Sequence, residues 1–301
     1  MTVQATRPPA RPEPQAPARV RHDGETDWQV AELDLEAYLD RIGYRGPREA
    51  TGVALAALHR AHTEAIAFEN VEVALGRPVP LDLPSLQRKF VRDRRGGYCF
   101  EHNLLFAAAL ERLGFQVERH LARVRRGSTV VRYRAHAFLR VTAQDGLWLA
   151  DVGFGDEGLI EPIAFEPGAV ARCGGWTWRL TDEGEHWVLQ ALHPDRWFDL
   201  YAFRLERHVL PDFEVSNHFT ATHPRSTFVG RLIAMRGRPR VRHTLVDREL
   251  TTRRCDGREE RIELHDDAVV RALRELFGVP VSAEDAHELC QRLPALGTAR
   301  R

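Results

Sequence analysis

The spacing of apolar residues changes once along this chain, at Gly114, and that change limits the fold more than any other feature. Before Gly114 apolar positions recur every three or four residues, as on one face of a helix; after it they alternate, as on a strand with one buried side. "LDLEAYLDRIGY" puts Leu35, Leu39 and Ile42 on one face, with Asp34 positioned to cap. Val53, Leu55, Leu58, Ala61 and His62 give a second helix, and "LPSLQRKFVRDR" a third that stops before Gly96-Gly97. The helix after the glycines buries Phe100, Leu104, Leu105 and Leu110, and Gly114 stands where a helix-terminating glycine belongs. The first 115 residues or so therefore read as helical.

Beyond Gly114, "FQVERHLARVRR", "STVVRYRAHAFLRV", "GLWLADVGFG", "WTWRLTDEGEHWVLQAL" and "WFDLYAFRLE" alternate between Gly and Asp turns, which predicts an antiparallel sheet or barrel. From about residue 216 the pattern mixes strands in "RHTLVDRELTTRRC" with a helix in "DAVVRALRELFG" and a shorter one from Ser282 to Leu293. The fold class is α+β, and the absence of an internal repeat excludes a solenoid. Residues 1–27 carry Pro8, Pro9, Pro12, Pro14 and Pro17 among Arg, Ala and Gln, and read as a disordered extension.

Charge narrows the function classes. The 43 Lys+Arg balance 43 Asp+Glu, so nothing steers the chain toward nucleic acid. Among the basic residues only Lys89 is lysine, a bias that reads as genome composition. Cys99, Cys173, Cys255 and Cys290 form no C-x-x-C pair, so neither a zinc module nor a disulfide framework is signalled. There is no apolar run of about 18 residues and no export h-region, so no membrane partner is expected and the expected compartment is the cytoplasm.

Cys99, in "RGGYCFEHN", falls at the first turn of a helix, where a thiolate is favoured. A thiol nucleophile also needs an imidazole, oriented by a carboxylate. In "VVRYRAHAFLRV", Arg132, Arg134, His136, Phe138 and Arg140 point to one side, and Tyr133, Ala135, Ala137, Leu139 and Val141 to the other. With a four-residue turn from Ala143 to Gly146, Thr142 pairs with Leu147 and Phe138 falls opposite Asp151. His136 is then the diagonal neighbour of Asp151, the α-carbons roughly 7 Å apart on one face. A two-residue Asp145-Gly146 turn would instead put Asp151 opposite Arg140, out of reach. Cysteine, histidine and aspartate together satisfy a thiolate triad, which leaves the reaction itself open.

"RGGYCFEHN" at 95–103, the His136 strand, "WLADVGFG" at 148–155 and "AIAFENVEV" at 65–73 resemble the arylamine N-acetyltransferases, from about Leu33 onward. The resemblance implies a helical bundle over 28–115 carrying Cys99, a β-barrel over 116–215 carrying His136 and Asp151, and an α/β lid over 216–301, with a cysteine-protease-like catalytic core on the seam of the first two. The glycines are then expected to let the chain turn sharply into the helix that presents Cys99. The implied reaction is ping-pong transfer from acetyl-CoA, the co-substrate, to an arylamine or hydrazine, with no metal. Backbone N–H groups around Cys99 are candidates for an oxyanion hole. Phe68, Phe154 and Phe228 are implied substrate contacts. "SNHFTATHPRSTF" at 216–228 is similar to a segment near the coenzyme A cleft, with His223 and Ser226 as coenzyme contacts. Arg95 and Glu69 resemble a bracing salt bridge, while Ala67 stands where the family usually has proline, a departure expected to loosen one turn.

Two other reactions use the same residues. An amide synthase of the same family would close a macrolactam from a carrier-bound acyl chain, and a transglutaminase-like or papain-like hydrolase also orders Cys, His and Asp this way. The basic run "RVRRGSTVVRYR" at 123–134 lacks a nucleic-acid motif and reads as a solvated barrel edge or a contact for coenzyme A phosphates. A homo-oligomer is compatible with the sequence, which leaves the oligomeric state open.

Overall fold

A computed structural model describes residues 28–128 and 130–293. The proline-rich extension read at 1–27 lies outside the described residues. Within them, local capping starts the helices. Asp34 Oδ1 accepts from the Ala37 N–H at 3.0 Å to begin α1 (Leu35–Ile42), and Thr51 Oγ1 accepts from Ala54 N–H at 3.2 Å to begin α2 (Gly52–Ala65). The buried face of α2 is formed by Ala54, Leu55, Leu58, His59 and His62; Val53, read as part of it, is 74% exposed at the first turn.

A two-residue strand, β1 (Phe68–Glu69), and a short helix, α3 (Val71–Ala74), follow. The strand interrupts a stretch read as helical because its partner lies far along the chain. The third expected helix divides into α4 (Leu83–Gln87) and a π-helical turn at Arg88–Arg92, where the Asp93 N–H reaches back to Arg88 O at 2.8 Å. Next, α5 (Cys99–Arg112) is buried all round from Cys99 to Leu110, and the chain turns away at Gly114 with φ 86°. More than the expected face is covered because α1 and α4 pack on one side of α5 and barrel strands on the other.

Eight antiparallel strands occupy the middle of the chain: β2 (Gln116–Val124), β3 (His136–Ala143), β4 (Gly146–Ala150), β5 (Ile163–Ala164), β6 (Val170–Cys173), β7 (Trp176–Asp182), β8 (Trp187–Leu192) and β9 (Trp197–Phe203). Their order is β5-β4-β3-β2-β9-β8-β7-β6, and the edge strands β5 and β6 approach each other, so the sheet curls into a nearly closed barrel. Phe138, Leu149, Trp178, Leu189 and Tyr201 fill one core, while Ala137, Leu139 and Val141, from the opposite face of β3, join the core of the helices. The strand begins at His136, later than its alternation implied. Upstream the chain leaves the ladder toward α6 (Leu210–Thr222), where Tyr133 packs on Phe219 with ring centroids 4.2 Å apart.

The second sheet, ordered β1-β10-β11-β12-β13, adds β10 (Ile233–Arg238), β11 (Val241–Val246), β12 (Glu249–Arg254) and β13 (Glu259–Glu263) to β1, with Phe68 opposite Met235 and Glu69 opposite Ala234. Helices α7 (Asp266–Glu275) and α8 (Ala283–Arg292) close over it around Leu245, Val269, Leu273 and Phe277. Among the described residues no helix is long and apolar enough to cross a membrane.

Candidate active site

The β3–β4 register is the one that the longer turn required: Ala143 pairs with Gly146, Thr142 with Leu147 and Leu139 with Ala150. Asp151 follows β4 directly, and it faces His136. His136 Nε2 lies 2.7 Å from Asp151 Oδ2. A carboxylate only accepts, so Nε2 carries the hydrogen and Nδ1 is left toward the thiol. Cys99 Sγ sits at the first turn of α5, 3.5 Å from the Ala135 carbonyl oxygen, and near enough to His136 to act on its imidazole. All three side chains are buried.

Burial alone would lower the His136 imidazole. The Asp151 charge and hydrogen bond, with the Cys99 contact, outweigh it and hold the ring at about 9. Burial likewise works against the Asp151 carboxylate, but His136, the Gly153 N–H and the Asn103 amide keep it below its ordinary value. The result is an imidazolium–carboxylate pair at neutral pH, next to a thiol at a helix N-terminus.

Several groups that the sequence reading missed hold this pair in place. Asn103 is one turn along α5 from Cys99, a spacing that puts both on one face. Its Nδ2 donates to Asp151 Oδ1 at 3.0 Å and to Ala137 O at 2.7 Å, and its Oδ1 accepts from Val152 N–H at 3.2 Å. His59 of α2 accepts from the Asp151 N–H through Nε2 at 3.2 Å, so its Nδ1–H donates to Ile160 O at 2.9 Å. The Tyr201 ring lies 4.7 Å from that of His136. Burial and the Asp151 charge push its phenol well above the usual value, so it stays neutral.

The glycines before Cys99 act differently from expectation. Neither has positive φ; the left-handed residue of this turn is Arg94, with φ 53°. Gly96 and Gly97 are needed because a Cβ would overlap the Ala67 carbonyl oxygen at the first and the Glu101 carboxylate at the second. Gly153 is a third such position, where a Cβ would lie 2.8 Å from Cys99 Cα. Of the candidate oxyanion donors, the Tyr98 N–H is already committed to Glu101 Oε2 at 3.0 Å.

Phe154 meets the His136 ring edge-on at 5.0 Å, and Phe228 lies 5.9 Å from Phe68 and 5.8 Å from Tyr98, ring centroid to centroid. Glu69 and Arg95 pair at 2.8 Å, both buried, with Glu72 as a second partner of Arg95 at 3.1 Å. His223 stacks on Phe219 with centroids 4.0 Å apart. Ser226 is buried, and its hydroxyl donates to Thr220 O at 2.5 Å. In the basic run, Arg125 pairs with Glu183 and Asp199, and Arg134 with Glu206. Among the described residues no three His, Cys, Asp or Glu side chains come together as metal ligands.

Comparison with known proteins agrees with this geometry. The N-acetyltransferase family model matches residues 53–286. The chain is 40% identical over 257 residues to an arylamine N-acetyltransferase of Mycobacterium tuberculosis, covering 83% of this chain and 90% of that protein. The crystal structure of the Nocardia farcinica arylamine N-acetyltransferase superposes with a TM-score of 0.85 at 42% identity, covering 91% of this chain and all of that one. The Mycobacterium marinum arylamine N-acetyltransferase in complex with CoA superposes with a TM-score of 0.82 at 38% identity, covering 87% of this chain and 99% of that one. This chain belongs to the arylamine N-acetyltransferase family of transferases.

Proposed function

We propose that the protein transfers an acetyl group from acetyl-CoA to the nitrogen of an arylamine or arylhydrazine, in two half-reactions through an acetyl-cysteine at Cys99. The observation that carries this reading is His136 between Cys99 and Asp151, with 2.7 Å from Nε2 to the carboxylate and an imidazole held at about 9. In the first half-reaction the Cys99 thiolate adds to the thioester carbonyl carbon and the bond from that carbon to the coenzyme A sulfur breaks. The His136 imidazolium gives its proton to the departing thiolate. In the second, the amine nitrogen adds to the acetyl-cysteine carbonyl, neutral His136 takes the N–H proton, and the bond to Cys99 Sγ breaks. The thiolate–imidazolium pair is then restored. Asp151 accepts from His136 throughout and fixes its tautomer.

Phe68, Phe154 and Phe228 supply apolar ring surface beside this pair for an aromatic acceptor. Of the two residues read as coenzyme contacts, partly exposed His223 is the better candidate, since the Ser226 hydroxyl is spent on its own turn. Arg95 and Glu69 brace the segment that leads into Cys99.

Intact-protein mass spectrometry after incubation with acetyl-CoA alone tests the reading. A gain of about 42 Da that is absent in Cys99→Ala and discharged by an arylamine supports the acetyl-cysteine. No gain on a protein whose Cys99 still alkylates readily would refute acetyl-CoA as donor.

A further inference from the structure

The chain's single lysine lies beneath the first turn of α5. Of 43 Lys and Arg residues only Lys89 is lysine, and its side chain is 17% exposed. Its Nζ donates to Glu101 Oε1 at 2.7 Å, and Glu101, 2% exposed, accepts the Tyr98 N–H with its other oxygen. One carboxylate thus caps the helix that begins at Cys99 and receives the lysine. Gly97 leaves the space through which Glu101 reaches back.

This arrangement carries an electrostatic consequence. A buried anion two residues from Cys99 offsets the positive end of the helix and disfavours a second negative charge at the thiol. The surrounding charges do not compensate for it. Glu69 of β1 and Glu72 of α3 are both taken by Arg95. Tyr98 and His102 stay uncharged, burial pushing the phenol well above its ordinary value and the imidazole down to about 4. His136 is paired with Asp151. That leaves Lys89 as the counter-charge of Glu101. A compact ammonium suits one carboxylate oxygen in a closed space, where the five donors of a guanidinium would need further acceptors.

We propose that Lys89 is a positioning residue for Cys99: its ammonium neutralises the buried carboxylate that caps the nucleophile's helix, and so governs how readily the thiolate forms. The inference rests on Cys99 being the nucleophile. Its test is the pH dependence of Cys99 alkylation by iodoacetamide, read by peptide mass spectrometry on the full chain without any acyl donor. Wild type is compared with Lys89→Met, Glu101→Gln and the double variant. Lys89→Met is expected to move the alkylation midpoint up by about one pH unit, Glu101→Gln to move it down, and the double variant to return it close to wild type. A role confined to packing would move both single variants the same way, and that result, or four equal midpoints, overturns the proposal. Should Lys89→Met not fold, the downward shift of Glu101→Gln and the wild-type-like double variant decide the question on the same terms. Because alkylation needs no acetyl-CoA, a failure of the acetyl-transfer reading would show separately, in the mass gain described above.

Discussion

Gly96 packs against Ala67 so closely that a Cβ on the glycine would overlap the Ala67 carbonyl oxygen. The clash is with backbone on a segment tied down by β1, so no side chain can swing away to relieve it. Gly96→Ala is expected to lower the unfolding free energy by about 3 kcal/mol or more, measured by urea denaturation. A loss below about 1 kcal/mol would mean that the two segments can separate freely.

Asp151→Asn keeps the shape of the side chain and removes its charge. The His136 imidazole, now at about 9, should titrate markedly lower, and arylamine turnover should fall on the order of 10³–10⁴-fold. Ring-proton NMR of His136 reads the first effect and steady-state kinetics the second. An unmoved titration would show that Asp151 does not set the charge of the imidazole.

Phe228 packs on the rings of Phe68 and Tyr98. Phe228→Ala is expected to raise KM for an arylamine by about 10-fold, equivalent to about 1.4 kcal/mol of lost contact, while acetylation of Cys99 in a single turnover keeps its rate. Equal losses in both would move Phe228 from acceptor binding to the packing of the site.

Buried histidines predict how stability follows pH. Burial holds His59 and His102 at about 4, below their unfolded value of about 6.5, so the unfolded chain binds more protons between those limits. Their contribution is complete above about pH 6.5 and is lost as pH falls toward 4, by about 3 kcal/mol for each. His136 has the opposite sign: raised to about 9, it stabilises fully below about pH 6.5 and loses that contribution as pH rises through 9. Thermal unfolding should therefore give its highest Tm near pH 6.5, with a fall on both sides. A Tm still rising at pH 8.5 would contradict the assignment for His136.

What was legible in the sequence was local. Asp34 caps α1, Gly114 ends α5, and the hairpin register follows from the turn between Gln144 and Asp145, which is enough to bring His136 to Asp151. What was missed depends on partners far along the chain. No periodicity marks Phe68–Glu69 as a strand, because it pairs with β10 far along the chain and bridges to Gly97. The Gly96-Gly97 pair reads as a flexible turn until Ala67 and Glu101 are seen to fill the space where side chains would go. Asn103 was within reach of sequence reasoning, since one helical turn from Cys99 is a fixed direction; His59, on another helix, was not.

The pairing of β1 with β10 joins the segment before Cys99 to residues made much later in synthesis. A nascent chain can finish the helices around α5 and still leave the Phe68–Glu69 edge open until Ile233–Arg238 has left the ribosome. Such long-range closure is slow and exposes strand edges meanwhile. A chain that stops before residue 233 should therefore be prone to aggregate, although it contains Cys99, His136 and Asp151.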